Sequence, residues 1–524
     1  MGLNWKKLLF GLSVGVGMTM MPACSNDDGY DTDGNGQGKE VVKPTETGYL
    51  STGVSLGTLA GTPKSGDPGT EVGLPSEQAV RAVRLVLYGA DSNIVEYAWD
   101  LGVTNNDASD VFIGSDVSTE TASSLNRFVT VGRAVAKKNY KMLVLVNPMP
   151  LSVASTQEGC SIDLIQSMVC DIKKKADGGL TNSDAPIFGG YFSMTNAQGM
   201  IDVPASAIRS SQKEAEQQPV SIQVERMVAK VTLDTKNMPT LPNGDKLLNC
   251  KWDLDVTNLR YYPMRRMTYL SGGGTMERTG DGSERYDRYA EDPNFTRESQ
   301  WENSSITRKQ FEYFDSFQPY PTFLEHSFEE NSTNYAYVSE NTMATDAQYQ
   351  HITTRVVLAG NYEPNIPFFN KGEGFFTFAG YSISEYMMEL YAYSEYIDEP
   401  FVSLGLKDAI SIVKGRYGDN IFRRGVLTFP FLSSGLNYYY KGICYYTILI
   451  RHFNDSQVPD KMGYGRYGVV RNNVYKLTIN NINGPGRPVY EEPGAEPNDG
   501  NTSISANILV LPWQIRKQTV EELK

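Results

Sequence analysis

Residues 503–523 are apolar on both faces of an extended chain, and a segment of that kind has to be buried somewhere. Ile504, Ala506, Ile508 and Val510 alternate onto one face, while Leu509, Leu511, Trp513 and Ile515 fall largely on the other. Pro512 is expected to hinge the segment into a strand pair. The stretch before it, residues 491–501, is polar and punctuated by Pro and Gly. It reads as a linker that lets the tail leave its own domain.

The rest of the chain repeats the theme in shorter pieces. Leu50, Thr52, Val54 and Leu56 alternate with Tyr49, Ser51, Gly53 and Ser55, which predicts a strand over 48–59. A breaker-rich stretch, 61–69, follows as an exposed loop. Further strands are predicted at 82–88, 141–147, 188–195, 220–226, 228–233, 443–450 and 469–482, with short helices at 162–176 and 382–396. The 32 Tyr and 48 Gly suit half-buried strand faces and turns. Residues 271–339 are polar and poor in aliphatics, so they read as a large surface insertion. Strand signals resume near Val220 after a Gln- and Glu-rich stretch, 212–218, which places a domain boundary there.

The first residues read as a targeting segment. Lys6 and Lys7 precede an apolar core, 8–21, and then Met21-Pro22-Ala23-Cys24 resembles a lipobox, in which the signal is cut before an acylated Cys24. The other reading of this segment is an ordinary secretory signal with an incidental Cys. Lipidation would anchor the chain in a membrane. The polar, acidic run through Glu40 reads as a flexible tether and resembles the export signal of Bacteroidetes surface lipoproteins, which points to the cell outer membrane. Cys160, Cys170, Cys250 and Cys444 have no zinc or scaffold spacing and read as buried thiols before disulfides.

The formal charge of −13 argues against nucleic acid as a partner. Gly463 to Gly468 fits a dinucleotide pattern, but a strand follows it and supplies no helix N-terminus for a pyrophosphate. The acidic run at Asp31 lacks the Glu that an EF-hand needs, since Val42 stands at that position. The Gly11-Leu-Ser13-Val-Gly15 elbow lies inside the signal. His326, His351 and His452 are far apart in the chain. No catalytic residue, cofactor or metal is therefore predicted, and the chain does not read as an enzyme. Tyr438-Tyr-Tyr440 and Tyr445-Tyr446 would serve a glycan-binding lipoprotein if exposed, although strand packing explains them too. A secreted hydrolase is a third, weaker reading.

The second half resembles the fimbrillin or Mfa-type family of Bacteroidetes major fimbrial subunits, the type V pilins. The residues that carry this are Tyr467-Gly-Val-Val-Arg-Asn-Asn-Val-Tyr-Lys-Leu-Thr-Ile-Asn480, Gly484-Pro-Gly-Arg-Pro488 and Ile508-Leu-Val-Leu-Pro-Trp-Gln514 with Val520. Upstream, Leu143 to Pro148, Phe192-Ser-Met-Thr-Asn196 and Val224 to Val231 fit less specifically. The resemblance implies a mostly β fold of two tandem, transthyretin-like β-sandwich domains with a few short helices and the long polar insertion. The expected division is 1–23 signal, 24–47 tether, 48–219 first domain, 220–490 second domain and 491–524 linker and tail. It also implies a cell-surface lipoprotein matured by a trypsin-like protease. Removal of the first strand, with Leu50, Val54 and Leu56, would leave a groove filled by the tail of another copy or another fimbrial subunit. Cleavage in the family usually follows Arg; here the loop offers Lys64, giving Ser65 as the new terminus. Arg81 and Arg84, at or in the next strand, are expected to be shielded.

Overall fold

Short apolar runs broken by Gly, Pro and polar clusters make short strands, and such strands are stable only when laid side by side over a shared core. In a computed structural model the described residues are 46–56, 71, 72, 74, 77, 79–102, 104–106, 111–113, 127–172, 186–188, 191–269, 288–295, 310–314, 335–344, 347–452, 467–494 and 504–514. They all belong to one unit, Glu46–Lys524. The architecture is mostly β.

The first half uses β1 (Thr47–Leu50), β2 (Thr52–Leu56), β3 (Glu71–Val72), β4 (Ala82–Gly89), β5 (Val95–Gly102), β6 (Arg127–Val129), β7 (Arg133–Ala136), β8 (Tyr140–Val146), β9 (Met194–Asn196), β10 (Ile201–Val203) and β11 (Val220–Arg226). Eight of them form one sheet in the order β5-β4-β8-β9-β11-β2-β6, with β10 also on β8; β1 pairs with β7. Leu50, Val54, Phe128, Met142 and Ile222 share the core on one face. Helix α1 (Ile162–Gln166) packs Ile162 and Ile165 with Tyr88 and Leu143 on the other. That helix is shorter than the predicted 162–176, because the chain turns into an extended pair at Cys170–Asp171. The Gln-rich stretch predicted as linker holds α2 (Gln212–Gln217), capped by Ser211, whose side chain accepts from the Glu214 backbone N–H. Of the predicted strand 188–195, the chain makes three two- or three-residue pieces at Ile187–Phe188, Tyr191–Phe192 and Met194–Asn196.

At Met227 the chain passes from one sheet to the next. There β12 (Val228–Asp234), β13 (Lys246–Asp255), β14 (Tyr335–Ser339) and β15 (Arg355–Glu363) follow. Between β15 and its sheet neighbour lies an α/β excursion: β16 (Phe375–Phe378), β17 (Tyr381–Ser384), α3 (Glu385–Tyr393), α4 (Leu406–Tyr417), β18 (Phe431–Ser433) and β19 (Leu436–Tyr439). It has a core of its own around Phe376, Met388, Val413 and Tyr438. The chain then returns through β20 (Ile443–Leu449), β21 (Asn473–Ile482) and β22 (Ile504–Gln514). A five-stranded sheet, β14-β12-β21-β22-β3, and a three-stranded sheet, β13-β15-β20, share the core of Val231, Trp252, Leu358, Tyr475 and Ile504. Helix α4 was not predicted, and of the surface insertion expected at 271–339 only scattered residues are described.

β22 runs without interruption through Pro512, so the expected hinge there does not occur. A proline is tolerated because the register with β21 ends at Pro512, opposite Asn473, where no further ladder donor is needed on that side. Among the described residues no helix is long and apolar enough to cross a membrane.

Candidate assembly site

The first strand is an interior strand. β2 runs parallel to β11, Thr52 to Val220 through Leu56 to Val224, and antiparallel to β6, Gly53 to Val129 through Ser55 to Arg127. Leu50, Ser51, Thr52 and Val54 are each at most 1 % exposed. Both faces are therefore covered. Thr52 Oγ1 donates to Met142 Sδ at 3.5 Å, the Ser51 hydroxyl donates to the Thr130 carbonyl at 2.6 Å, and the Thr52 N–H donates to Thr130 Oγ1 at 2.9 Å. Taking this strand away would open a slot with an unpaired strand edge on each side. The Leu56 side chain, Lys64, Ser65 and Cys24 lie outside the described residues. Arg84 is buried, with its guanidinium on Thr156 and Asp100, whereas Arg81 is exposed and stacks over Tyr191 at 3.8 Å, so the expected shielding holds for Arg84 only.

The tail has a different seat. β22 pairs antiparallel with β21, Ile504 opposite Ile482 through Pro512 opposite Asn473. Ile504 and Leu511 are buried there, Ala506, Ile508 and Val510 are half-buried against the second core, and Leu509 is 42 % exposed. The Trp513 side chain and Ile515 lie outside the described residues. Beyond the end of β21, Trp513 and Gln514 pair in parallel with Glu71 and Val72 of β3.

The linker is tied down at its start. Tyr446 Oη and Tyr439 Oη donate to the carbonyls of Gly484 and Gly486, and the Tyr445 and Arg487 backbones bond reciprocally. Arg355, paired with Asp255 at 2.7 Å, donates to the Glu491 carbonyl at 2.8 Å, and the His351 N–H donates to the Gly494 carbonyl at 3.1 Å. Only residues 495–503 separate these ties from β22. Nine extended residues span about 30 Å at most.

Where the two halves meet, charged side chains are buried in pairs. Glu77, between the loop and β4, has no exposed surface. Its carboxylate accepts from Lys230 Nζ at 2.7 Å, Tyr337 Oη at 2.5 Å and the Leu74 N–H at 2.6 Å. Its carbonyl accepts from Arg226 Nε at 3.0 Å, and burial brings the Arg226 guanidinium down to about 10. Burial and the Glu77 carboxylate push the Tyr337 phenol far up. Arg471 and Glu340, both fully buried, pair at 3.1 Å. None of these pairs was predicted from the sequence. Lys230, in an otherwise apolar strand, was a signal for a buried partner; Glu77 carried none.

The remaining candidates resolve into packing. Tyr438, Tyr439, Tyr445 and Tyr446 are buried and Tyr440 is half-buried, so these residues pack in the fold and do not form the exposed aromatic platform a glycan-binding reading asks of them. The four described cysteines are free thiols, and burial pushes Cys250 up to about 12 and Cys444 up to about 11. No group of metal-ligating side chains is found among the described residues.

A search of curated proteins returns no match. Among solved structures the chain is similar to a candidate cell adhesion protein of Parabacteroides distasonis (13 % identity, 91 % of this chain, 100 % of that one, TM-score 0.43). It is also similar to fimbrilin FimA of Porphyromonas gingivalis (12 %, 91 %, 100 %, 0.40) and to the C-terminally truncated tip fimbrial protein Mfa3 of the same organism (10 %, 89 %, 100 %, 0.33). Likenesses this distant carry no weight in the assignment. Residues 437–519 match the family described as "Major fimbrial subunit protein type IV, Fimbrillin, C-terminal". That span holds β20, β21, β22 and the tied linker, so the part of the chain that closes the second core is similar to the C-terminal region of the fimbrillin family.

Proposed function

We propose that the protein is a structural subunit of a cell-surface fimbria that supports adhesion. It is exported as a lipoprotein on Cys24, loses its first strand by cleavage after Lys64, and polymerises when the tail of one copy enters the slot of the next. The observation that supports this most is the contrast between the two seats. The tail's apolar face is half-buried in its own sheet, while the first strand's seat is closed on both faces and paired on both edges. Moving Ile508 and Val510 from half to full burial gains roughly half of the 1.5–3 kcal/mol expected for each large side chain, or about 1.5–3 kcal/mol in all, and Ala506 adds a smaller amount. Two backbone ladders are restored as well. These gains replace the single β21 ladder, the pairing with β3 and the burial of Ile504 and Leu511 that the tail gives up on leaving.

A synthetic peptide of residues 503–517 tests this. It should bind protein that has been cut and stripped of its first strand, and not the uncut protein, in a fluorescence-anisotropy titration. Equal binding to both forms would falsify the proposed exchange.

A further inference from the structure

We propose that β3, anchored by Glu77, is a latch that holds the tail in its own sheet until the preceding loop is cut. This rests on the tail being the exchanged segment. The end of β22 projects past β21, and β3 is the strand that pairs with Trp513 and Gln514. β3 lies along the edge of the five-stranded sheet, so β22 cannot peel from that end while β3 stays. Five residues after Val72, Glu77 is locked to Lys230 on β12, Tyr337 on β14 and Arg226 on β11.

In the uncut chain β3 is therefore held from both directions. Upstream the chain is fixed by β2 in the interior of the first sheet; downstream it is fixed by Glu77. A cut after Lys64 turns β3 into part of a chain end with one anchor left. Chain ends fray, since ordering them is no longer shared with a closed loop. The cut thus does two things at once. It frees the first strand to leave its slot, and it loosens the strand that pins the tail. Maturation and readiness to donate are linked through one short segment, and an uncut precursor keeps its tail at home.

Hydrogen–deuterium exchange of the amides in 504–511 reads the latch directly. Cutting the wild-type protein after Lys64 should speed their exchange on the order of tenfold, the loss expected for one or two backbone hydrogen bonds. Uncut Glu71→Pro/Val72→Pro protein, which cannot donate from β3, should exchange there at the cut protein's rate, and uncut Glu77→Gln should move the same way. Amides of β12 should stay unchanged in the cut wild type and in Glu71→Pro/Val72→Pro. Unchanged exchange in 504–511 after cutting overturns the latch, and that measurement needs no variant. If exchange speeds up but no filament forms under any condition, the latch stands and the donor role of the tail fails.

Discussion

Asp292 is a carboxyl buried beside Glu340, accepting from the Asn294 and Thr342 N–H groups at 2.5 Å each. Burial pushes it up to about 8. A carboxyl raised above its unfolded value of 3.8 contributes stability fully below that value and loses it as pH rises through about 8. The thermal midpoint should therefore fall between about pH 4 and pH 8, by up to about 1.4 kcal/mol of stability per pH unit from this group. Asp292→Asn should flatten that slope in a thermal melt series; an unchanged slope would show that Asp292 is ionised in the fold. Single residues were the least legible scale. Lys230 in an apolar strand announced a buried partner, but Glu77 is a lone acid in a breaker-rich stretch, and only the fold brings it to Lys230 from 153 positions away. The expectation at Cys24 rests on a signal segment, which is read locally. Cys24→Ala should leave the precursor uncleaved and unacylated by metabolic lipid labelling, and normal acylation would count against the lipobox.

Elements were more legible where alternation or a solid apolar run spoke for itself. β4, β8, β11, β12, β20 and β21 fall close to their expected places because both local pattern and burial demand extended chain there. α4 was missed because its buried residues, Leu406, Ala409, Ile410 and Val413, are interleaved with Ile412 on the exposed side, which blurs the helical period. The tail and the first strand share a further pattern. Written in the same direction, Leu50-Ser-Thr-Gly-Val-Ser-Leu56 and Ile504-Ser-Ala-Asn-Ile-Leu-Val510 both run large, Ser, small, then large at alternate positions. Run in reverse, the tail would put Ile508 at the place of Thr52, against Met142. The tail should therefore enter parallel to β11, with Ser505 in the buried place of Ser51 and Ala506 in that of Thr52. Ser505 is exposed in its present seat. Ser505→Arg should thus leave the monomer's stability within about 0.5 kcal/mol and yet abolish assembly, since an unpaired charge would be buried in the slot. Wild-type filament yield from this variant in a sedimentation assay would rule out that register.

For the whole molecule, the mostly β architecture was readable because Tyr-rich alternation and frequent Gly turns permit little else over this length. How the sheets share strands was not, since parallel pairing of β2 with β11 joins residues some 168 positions apart. On the proposed function the protein works in two stages: a precursor whose slot is filled by its own first strand, and a mature subunit whose slot waits for the next tail. Electron microscopy of purified protein after limited tryptic cleavage, with N-terminal sequencing of whatever sediments, tests that claim most directly. Filaments should form whose subunits begin at Ser65, and none should form from uncut protein or from protein lacking residues 503–524. Filaments whose subunits still carry the first strand, or filaments built without the tail, would contradict it.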